Sequence, residues 1–526
     1  MQQMDSLVEY GSRRVIITIT AILCALLEIV DTTIVNVALN DMRGTLGATL
    51  SEVGWVITAY AIGNVIIVPM TSWLSQQFGR RNYFAASIIL FTVCSFLCGN
   101  ATGIWELVAF RFLQGIGGGA LLVTSQTIIT ESYPVEKRGM AQAIYGLGVI
   151  IGPTLGPPLG GYIIDHASWP YIFYINIPIG VVATLLTLQF VQSPKYGEKS
   201  TIGNIDWLGI GLLALTVGSL QYVLEKGQDD DWFSSSVIIY FAVAAVFGLF
   251  FFIWRETSFR NPIVQLRVLK NTNLRVGTIL SFILGFGMYG STFIIPLYTQ
   301  SVLGWTALQA GMLMVPAALT TAVMMPLIGK LLQKGIPQQY LVAGGLLLFS
   351  IFTFWGYFII SPVTTADSFF WMLIVRGIGM GMLFIPITTL ALSSLKGQQI
   401  GQGAAFTGMM RQLGGSFGVA LITTFLSRQN MVHRNDLVSK LDVNNPSVMQ
   451  RVQQLQHNFM SKGMNTDVAL KSSYAALERI VTRQANILSY MDVFLYLGVI
   501  FLVCVPFVLM VKGNRAKKVD LSEAMH

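Results

Sequence analysis

Apolar residues in this chain gather in long uninterrupted runs, as at 207–224, 237–254 and 495–511, instead of alternating with polar ones. A run of about 20 residues is what an α-helix needs to cross roughly 30 Å of hydrocarbon. A spanning β-strand needs only about 9–11 alternating residues, so the pattern predicts helices and excludes a barrel. Fourteen spans are predicted, centred near residues 26, 63, 92, 118, 152, 180, 215, 246, 289, 319, 350, 382, 414 and 500. The first begins at Val15, behind Arg13 and Arg14. It is too long for a signal peptide, holds Glu28 and Asp31, and lacks a small-residue cleavage site.

Between the last two spans the period changes. Val448, Val452, Leu455 and Phe459 recur at helical spacing, and after Gly463 so do Ala469, Tyr474, Leu477 and Val481. Two amphipathic helices are predicted within the segment 429–487, the second continuing into the last span. Such a segment suits a lid resting on the protein, or a docking surface for another protein.

Composition agrees with membrane insertion. Of 526 residues, 53% are hydrophobic and only 11% charged, with mean hydropathy +0.63, whereas soluble domains run near 25% charged. The net charge of +8 does not point to nucleic acid, because its distribution follows the loops. With the N-terminus in the cytoplasm, the cytoplasmic loops and both tails hold 20 Lys and Arg. These are Arg13, Arg14, Arg80, Arg81, Lys137, Arg138, Lys195, Lys199, Arg255, Arg260, Arg267, Lys270, Arg275, Lys330, Lys334, Lys396, Lys512, Arg515, Lys517 and Lys518. The short outer loops hold only Arg43 and Lys226, an asymmetry that sets orientation. The outer loop 228–235 has the opposite bias, with Asp229, Asp230 and Asp231 beside Trp232.

Two stretches echo each other. Arg111 and its following glycines in span 4 resemble Arg376 and its glycines in span 12, and Pro69 to Gly79 resembles Pro326 to Gly335. Both pairs are offset by eight spans. This predicts two six-span halves with spans 7 and 8 inserted between them, a parallel repeat of the kind transporters use. The expected division is 1–191 for the N-terminal bundle, 192–272 for the inserted pair, 273–511 for the C-terminal bundle and 512–526 for a cytoplasmic tail.

Five charges lie inside spans: Glu28, Asp31, Arg111, Arg376 and Arg411. Each costs about 2.5–3.5 kcal/mol at the bilayer centre on the translocon scale, so they are expected to line a polar path. Span 1 runs outward and span 4 inward. At about 1.5 Å per residue, Asp31 and Arg111 both fall roughly 9–12 Å below the outer surface and can pair in a hydrated vestibule. Glu28, three residues before Asp31, is expected on the same helix face. Two carboxylates near one arginine make a proton site, with one held charged by the cation and the other left to take the proton. A purely structural ion pair is the alternative for Asp31 and Arg111, and a cavity-wall position without coupling the alternative for Glu28.

Span 5 carries Gly148, Gly152, Gly156 and Gly160 on one stripe, with Pro153 inside it. Three overlapping GxxxG units allow close backbone approach, and the expected partner is the other half of the molecule. Several other motifs fall away. Gly115, Gly117 and Ala120 match a dinucleotide fingerprint, but no strand precedes them. No GxxxxGK[ST] or HExxH exists. His166, His433, His457 and His526 lie in loops or the tail. Cys94 and Cys98, one helical turn apart without a His or carboxylate beside them, read as packing residues. Neither a metal nor another cofactor is expected.

The set Asp31, Thr32 and Asn36 in span 1, Arg111, Gln114 and Gly115 in span 4, and Gly152, Pro153, Gly156, Gly160 and Gly161 in span 5 resembles the major facilitator superfamily, and within it the fourteen-span drug:proton antiporters. Phe173, Asn176, Pro178 and Gly180, the loop 231–235 and the enlarged segment before the last span narrow the resemblance to EmrB-like multidrug exporters. It covers essentially the whole chain. It implies an all-α polytopic protein of the bacterial inner membrane that exports small amphipathic compounds against protons. Glu28, Asp31 and Arg111 would couple protons, and Thr32, Asn36, Gln114, Arg376 and Arg411 would be the polar residues of the cavity. Gly148, Gly152, Pro153, Gly156, Gly160 and Gly161 would form the antiporter motif, and Gly79, Arg80 and Arg81 a cytoplasmic gating loop. A periplasmic membrane-fusion adaptor and an outer-membrane channel would be its partners. Two departures stand out: Gln76 occupies the place of an expected Asp in the gating loop, and Glu28 is an additional carboxylate. A dedicated exporter of one metabolite, such as a siderophore, and a non-transporting scaffold are the competing readings.

Overall fold

The computed structural model describes residues 7–134, 137–193, 206–259, 262–442 and 445–510. The expected tail 512–526, with Lys512, Arg515, Lys517 and Lys518, lies outside these, as do Lys195, Lys199 and Arg260. Among the described residues the chain is all helix. The N-terminal half comprises α1 (Gly11–Thr45), α2 (Leu50–Phe78), α3 (Arg80–Gly99), α4 (Ile104–Ser132) and α5 (Arg138–His166), then a broken sixth span, α6 (Tyr171–Tyr174) and α7 (Asn176–Phe190). Pro178 explains the break, since it has no N–H to offer the carbonyl four residues back at Tyr174. The inserted pair is α8 (Trp207–Lys226) and α9 (Ser236–Ser258). The C-terminal half comprises α10 (Thr272–Ser301), α11 (Ala307–Gln333), α12 (Gln338–Ile359), α13 (Ala366–Ser393), α14 (Gln398–Ser439) and α16 (Thr466–Met510), with α15 (Pro446–Met460) before the last.

Thirteen described helices are long and apolar enough to cross a membrane. The expected span at 414 is α14, which falls short of that hydropathy because it carries Gln402, Arg411 and many glycines. It packs against α10, α16, α2 and α4, and this enclosure is what lets a more polar helix sit in the bundle. The internal repeat extends to helix starts. Thr49 and Glu52 form a capping box on α2, and Thr306 and Gln309 form one on α11, eight spans later.

Close helix packing rests on glycines. A side chain at Gly115 would strike the backbone of Tyr60, and one at Gly414 that of Phe282. The span-5 stripe differs from expectation. Gly148, Gly152, Gly156 and Gly160 face Ile22, Ile29, Thr33, Ile34 and Val37 of α1, so the stripe joins two helices of the same half. The contact between halves belongs to the neighbouring face of α5: Gly139 meets Gly329, Gly146 meets Met325, and Gly161 meets Leu308, along the length of α11. A helix of radius about 5 Å with side chains can serve two partners on two faces, and residue spacing alone does not say which partner takes which.

α8 and α9 pair with each other, and α8 leans on α2 and α14. Gln221 donates to Ser416 at 2.9 Å, and the Trp232 indole N–H donates to Thr424 at 3.1 Å. The acidic loop thus ties the inserted pair to α14. At the other end of the pair, Asp206 accepts from Gly209 N–H and pairs with Arg255 at 3.1 Å. α9 is peripheral, with only 22% of its apolar window buried.

The segment 429–487 begins as helix, because α14 runs on to Ser439. Its extension is zipped to α16 by polar pairs: Asn430 donates to Asn486 (2.5 Å), His433 Nε2 meets Asp492 (2.7 Å) and Arg434 pairs with Glu478 (2.7 Å). α15 docks on α16 and buries Val452. The second amphipathic helix does continue into the last span, as one helix, Thr466–Met510.

Candidate functional site

α1 and α4 pack directly and bring Asp31 and Arg111 together inside the N-terminal bundle. Arg111 Nη1 donates to Asp31 Oδ2 at 2.6 Å and to Gln114 Oε1 at 2.7 Å, while Nε donates to the carbonyl of Val56 at 3.2 Å. Asp31 Oδ1 accepts from Gln114 Nε2 (3.1 Å) and Asn176 Nδ2 (2.7 Å). Ser95 Oγ accepts from the same two amides. The Tyr60 ring covers the guanidinium, with its centroid 4.1 Å from Cζ. Asp31 is 0% and Arg111 1% exposed, so the pair occupies a packed interior and not the expected hydrated vestibule. Both carboxylate oxygens are engaged, the geometry a buried ion pair needs to offset its desolvation.

Glu28 is placed differently. It does not share Arg111 with Asp31, despite the three-residue spacing. One oxygen accepts from Asn64 Nδ2 of α2 at 2.8 Å, and Oε2 has no hydrogen bond among the described residues. Glu28 is buried, yet it lies within Coulombic reach of Arg411 on α14, in the other half. Further along α1, Thr32, Asn36 and Asn40 follow at four-residue steps on the same face, passing from half-buried to exposed. A polar stripe thus runs from a buried, half-satisfied carboxylate to the exposed Asn36 and Asn40.

The C-terminal half supplies two cations. Arg411 is buried with Cζ 5.4 Å from the Phe384 ring centroid, near Tyr145 and Tyr289. Arg376 donates through Nε to Ser291 (2.9 Å) and through Nη2 to Thr292 (2.8 Å) of α10. Neither forms an ion pair with a carboxylate among the described residues.

At the junction of α2 and α3, Gly79 adopts φ +80°, a conformation open to glycine, and turns the chain from one helix into the next. Arg80 is buried and paired with Glu131 of α4. Arg81 donates its backbone N–H to Ser193 at 3.0 Å. Gln76, in place of the expected Asp, accepts a hydrogen bond from Gln398 of α14. The two halves thus meet here through an amide pair, beside a polar cleft lined by Thr71, Ser72, Thr127 and Gly401.

Sequence reasoning missed Asn64, Ser95, Tyr60 and Val56 as partners of the charged residues. Asn64, an amide in an apolar run, was the available signal; the carbonyl of Val56 gives none. Asn176 stood in a recognised motif without a role and proves to be a ligand of Asp31. No group of metal-ligating side chains exists among the described residues. Cys98 touches Gln114 (3.6 Å) and all four cysteines are free.

A profile of the Major Facilitator Superfamily matches residues 21–419. The chain is 32% identical over 503 residues to the multidrug export protein EmrB of Escherichia coli K12, covering 96% of each. It is also 32% identical over 498 residues to the fatty acid resistance protein FarB of Neisseria gonorrhoeae, covering 94% of this chain and 96% of that one. Among solved structures it resembles the proton:xylose symporter XylE, with TM-score 0.58 at 16% identity, over 94% of this chain and 95% of that one. A matching profile across most of the chain, close relatives over nearly its full length and a shared all-helical fold lead to one assignment: this polytopic membrane protein belongs to the Major Facilitator Superfamily of transporters.

Proposed function

We propose that this protein is a proton-coupled antiporter that exports small amphipathic compounds, a multidrug efflux transporter like the EmrB proteins it resembles. The observation that carries this reading is Glu28: a buried carboxylate with one unsatisfied oxygen, at the foot of an outward polar stripe and facing a cation of the opposite half. A proton arriving along Asn40, Asn36 and Thr32 would neutralise Glu28 and remove its attraction to Arg411. The halves, 1–191 and 273–511, would then rock apart on the cytoplasmic side, where an amide pair and an apolar contact of Val68 and Val123 with α14 hold them. The proton would leave inward as substrate is carried out. Asp31, with both carboxylate oxygens engaged, and its partner Arg111 would keep α1, α4 and α7 in register while Glu28 titrates. This divides the work that the sequence assigned to all three residues jointly.

The same reading sets the protein in the bacterial inner membrane with both termini cytoplasmic, supported by the 20-to-2 loop asymmetry. The zipped extension of α14, α15 and α16 would be the outer surface on which a periplasmic adaptor leading to an outer-membrane channel could dock. Reconstitution in liposomes with an imposed pH gradient tests the reading. Uphill movement of a fluorescent amphipath should require the gradient and vanish in Glu28→Gln. Uphill movement that persists without a gradient would end proton coupling. A transporter confined to one metabolite would instead ignore a panel of unrelated dyes, and a scaffold would move nothing.

A further inference from the structure

The repeat sets α13 against α10 as it sets α4 against α1. Each half thereby presents a buried arginine from its fourth helix to its first. In the N-terminal half the receiving group is the carboxylate of Asp31. In the C-terminal half it is a pair of hydroxyls, Ser291 and Thr292, which donate their own protons to the carbonyls of Gly287 (2.6 Å) and Met288 (2.7 Å). They act toward Arg376 only as acceptors. Nε and Nη2 of Arg376 are engaged; Nη1 has no hydrogen bond among the described residues.

The imbalance extends through that half. Its described helices bury Arg376 and Arg411 but no acidic side chain. Arg411 has the Glu28 carboxylate of the other half within electrostatic range, but the two form no ion pair among the described residues. An unneutralised guanidinium held only by neutral dipoles in a membrane core is costly and marks a binding function more often than packing. The apolar core of that half includes Met288, Met314, Met372, Met380 and Phe384, pliable side chains that fit apolar bodies of varied shape.

We propose that Arg376, flanked by Ser291 and Thr292, anchors the anionic group of the exported compound, so that amphipaths bearing a carboxylate on an apolar body are preferred substrates. The proposal rests on the export reading and names its substrate class. Arg376 would complete with the substrate the ion pair that Arg111 completes with Asp31. The fork of a guanidinium matches a carboxylate's two oxygens, and Nη1 is the donor left for it.

The test measures binding to the purified full chain in lipid nanodiscs, using three ligands with one fluorescent body: anthracene-9-carboxylate, neutral 9-anthracenemethanol and cationic 9-anthracenemethylammonium. The unaltered chain should bind the carboxylate best. Arg376→Met should weaken carboxylate binding roughly 10- to 100-fold, the effect of losing a hydrogen bond to a charged group, and leave the other two within about twofold. Thr292→Asp should do the same by neutralising the cation where it stands, and it reports even if Arg376→Met fails to fold. The proposal is overturned if Thr292→Asp leaves carboxylate affinity unchanged, if all three ligands weaken equally, or if the unaltered chain does not bind the carboxylate. Pumping of the neutral and cationic compounds under a pH gradient tests the export reading separately.

Discussion

At the scale of single residues, the two carboxylates of α1 have opposite fates although three positions separate them. Asp31 is enclosed by donors from α4 and α7, and removing its charge strands Arg111. Asp31→Asn is therefore expected to cost about 3–5 kcal/mol, the usual loss when one partner of a buried ion pair is deleted. Thermal unfolding in detergent should show this, and Arg111→Met in the same chain should recover most of it. Glu28→Gln should behave in the reverse way. It removes a charge whose Oε2 is already unsatisfied, so stability should hold or rise while gradient-driven transport is lost. Equal destabilisation by both substitutions would contradict the division of roles. The five intramembrane charges were legible in the sequence because ionised groups stand out in apolar runs. Their pairing was only half legible: depth counting matched Asp31 to Arg111, but nothing in the spacing separated Glu28 from them or marked Asn176 and Ser95 as partners.

At the scale of helices, α5 holds two interfaces on adjacent faces. Gly156 sits against Thr33 and the backbone of Ile34 in α1, whereas a Cβ at Gly161 would meet Leu308 of α11 at an ordinary 3.8 Å. Gly156→Ala is expected to destabilise by roughly 1–3 kcal/mol through overpacking, and Gly161→Ala to be silent. Melting temperatures of the two purified variants compare them directly. The glycine stripe was legible from its four-residue period, but its partner was not, because GxxxG states that some backbone comes close without naming which. The same gap explains α14. Its low hydropathy and continuation to Ser439 make sense only with α10, α16 and the Asn430, His433 and Arg434 pairs in place.

At the scale of the whole molecule, the halves meet along α5 and α11 and where the C-terminal end of α2 meets the N-terminal end of α14. The second contact is the one expected to open. A Cβ at Gly401 would lie 3.7 Å from that of Ser72, inside the range of about 3.5–4.5 Å that a disulfide requires. Ser72→Cys combined with Gly401→Cys should crosslink under oxidant, stop transport and regain it on reduction. Unimpeded transport by the fully crosslinked protein would mean this contact does not open in the cycle. Replacing Gln76 by Asp, the residue that the related loop pattern leads one to expect, tests the amide pair: Gln398 can still donate, so closure should survive and gain sensitivity to salt.

The sequence by itself determined that the chain crosses a membrane many times as helices, that it is built as two repeated halves with an inserted pair, and which charged residues the membrane must accommodate. These follow from one-dimensional quantities: the length of apolar runs, the alternation of loop charge and a constant offset between motifs. The tertiary structure decided which charges are neutralised, which glycine face meets which helix, and where one half touches the other. Those outcomes depend on the rotation of each helix about its axis and on the neighbour that rotation selects. A change of about 100° per residue sends a side chain to a different partner, and that angle is set by packing among all the helices together.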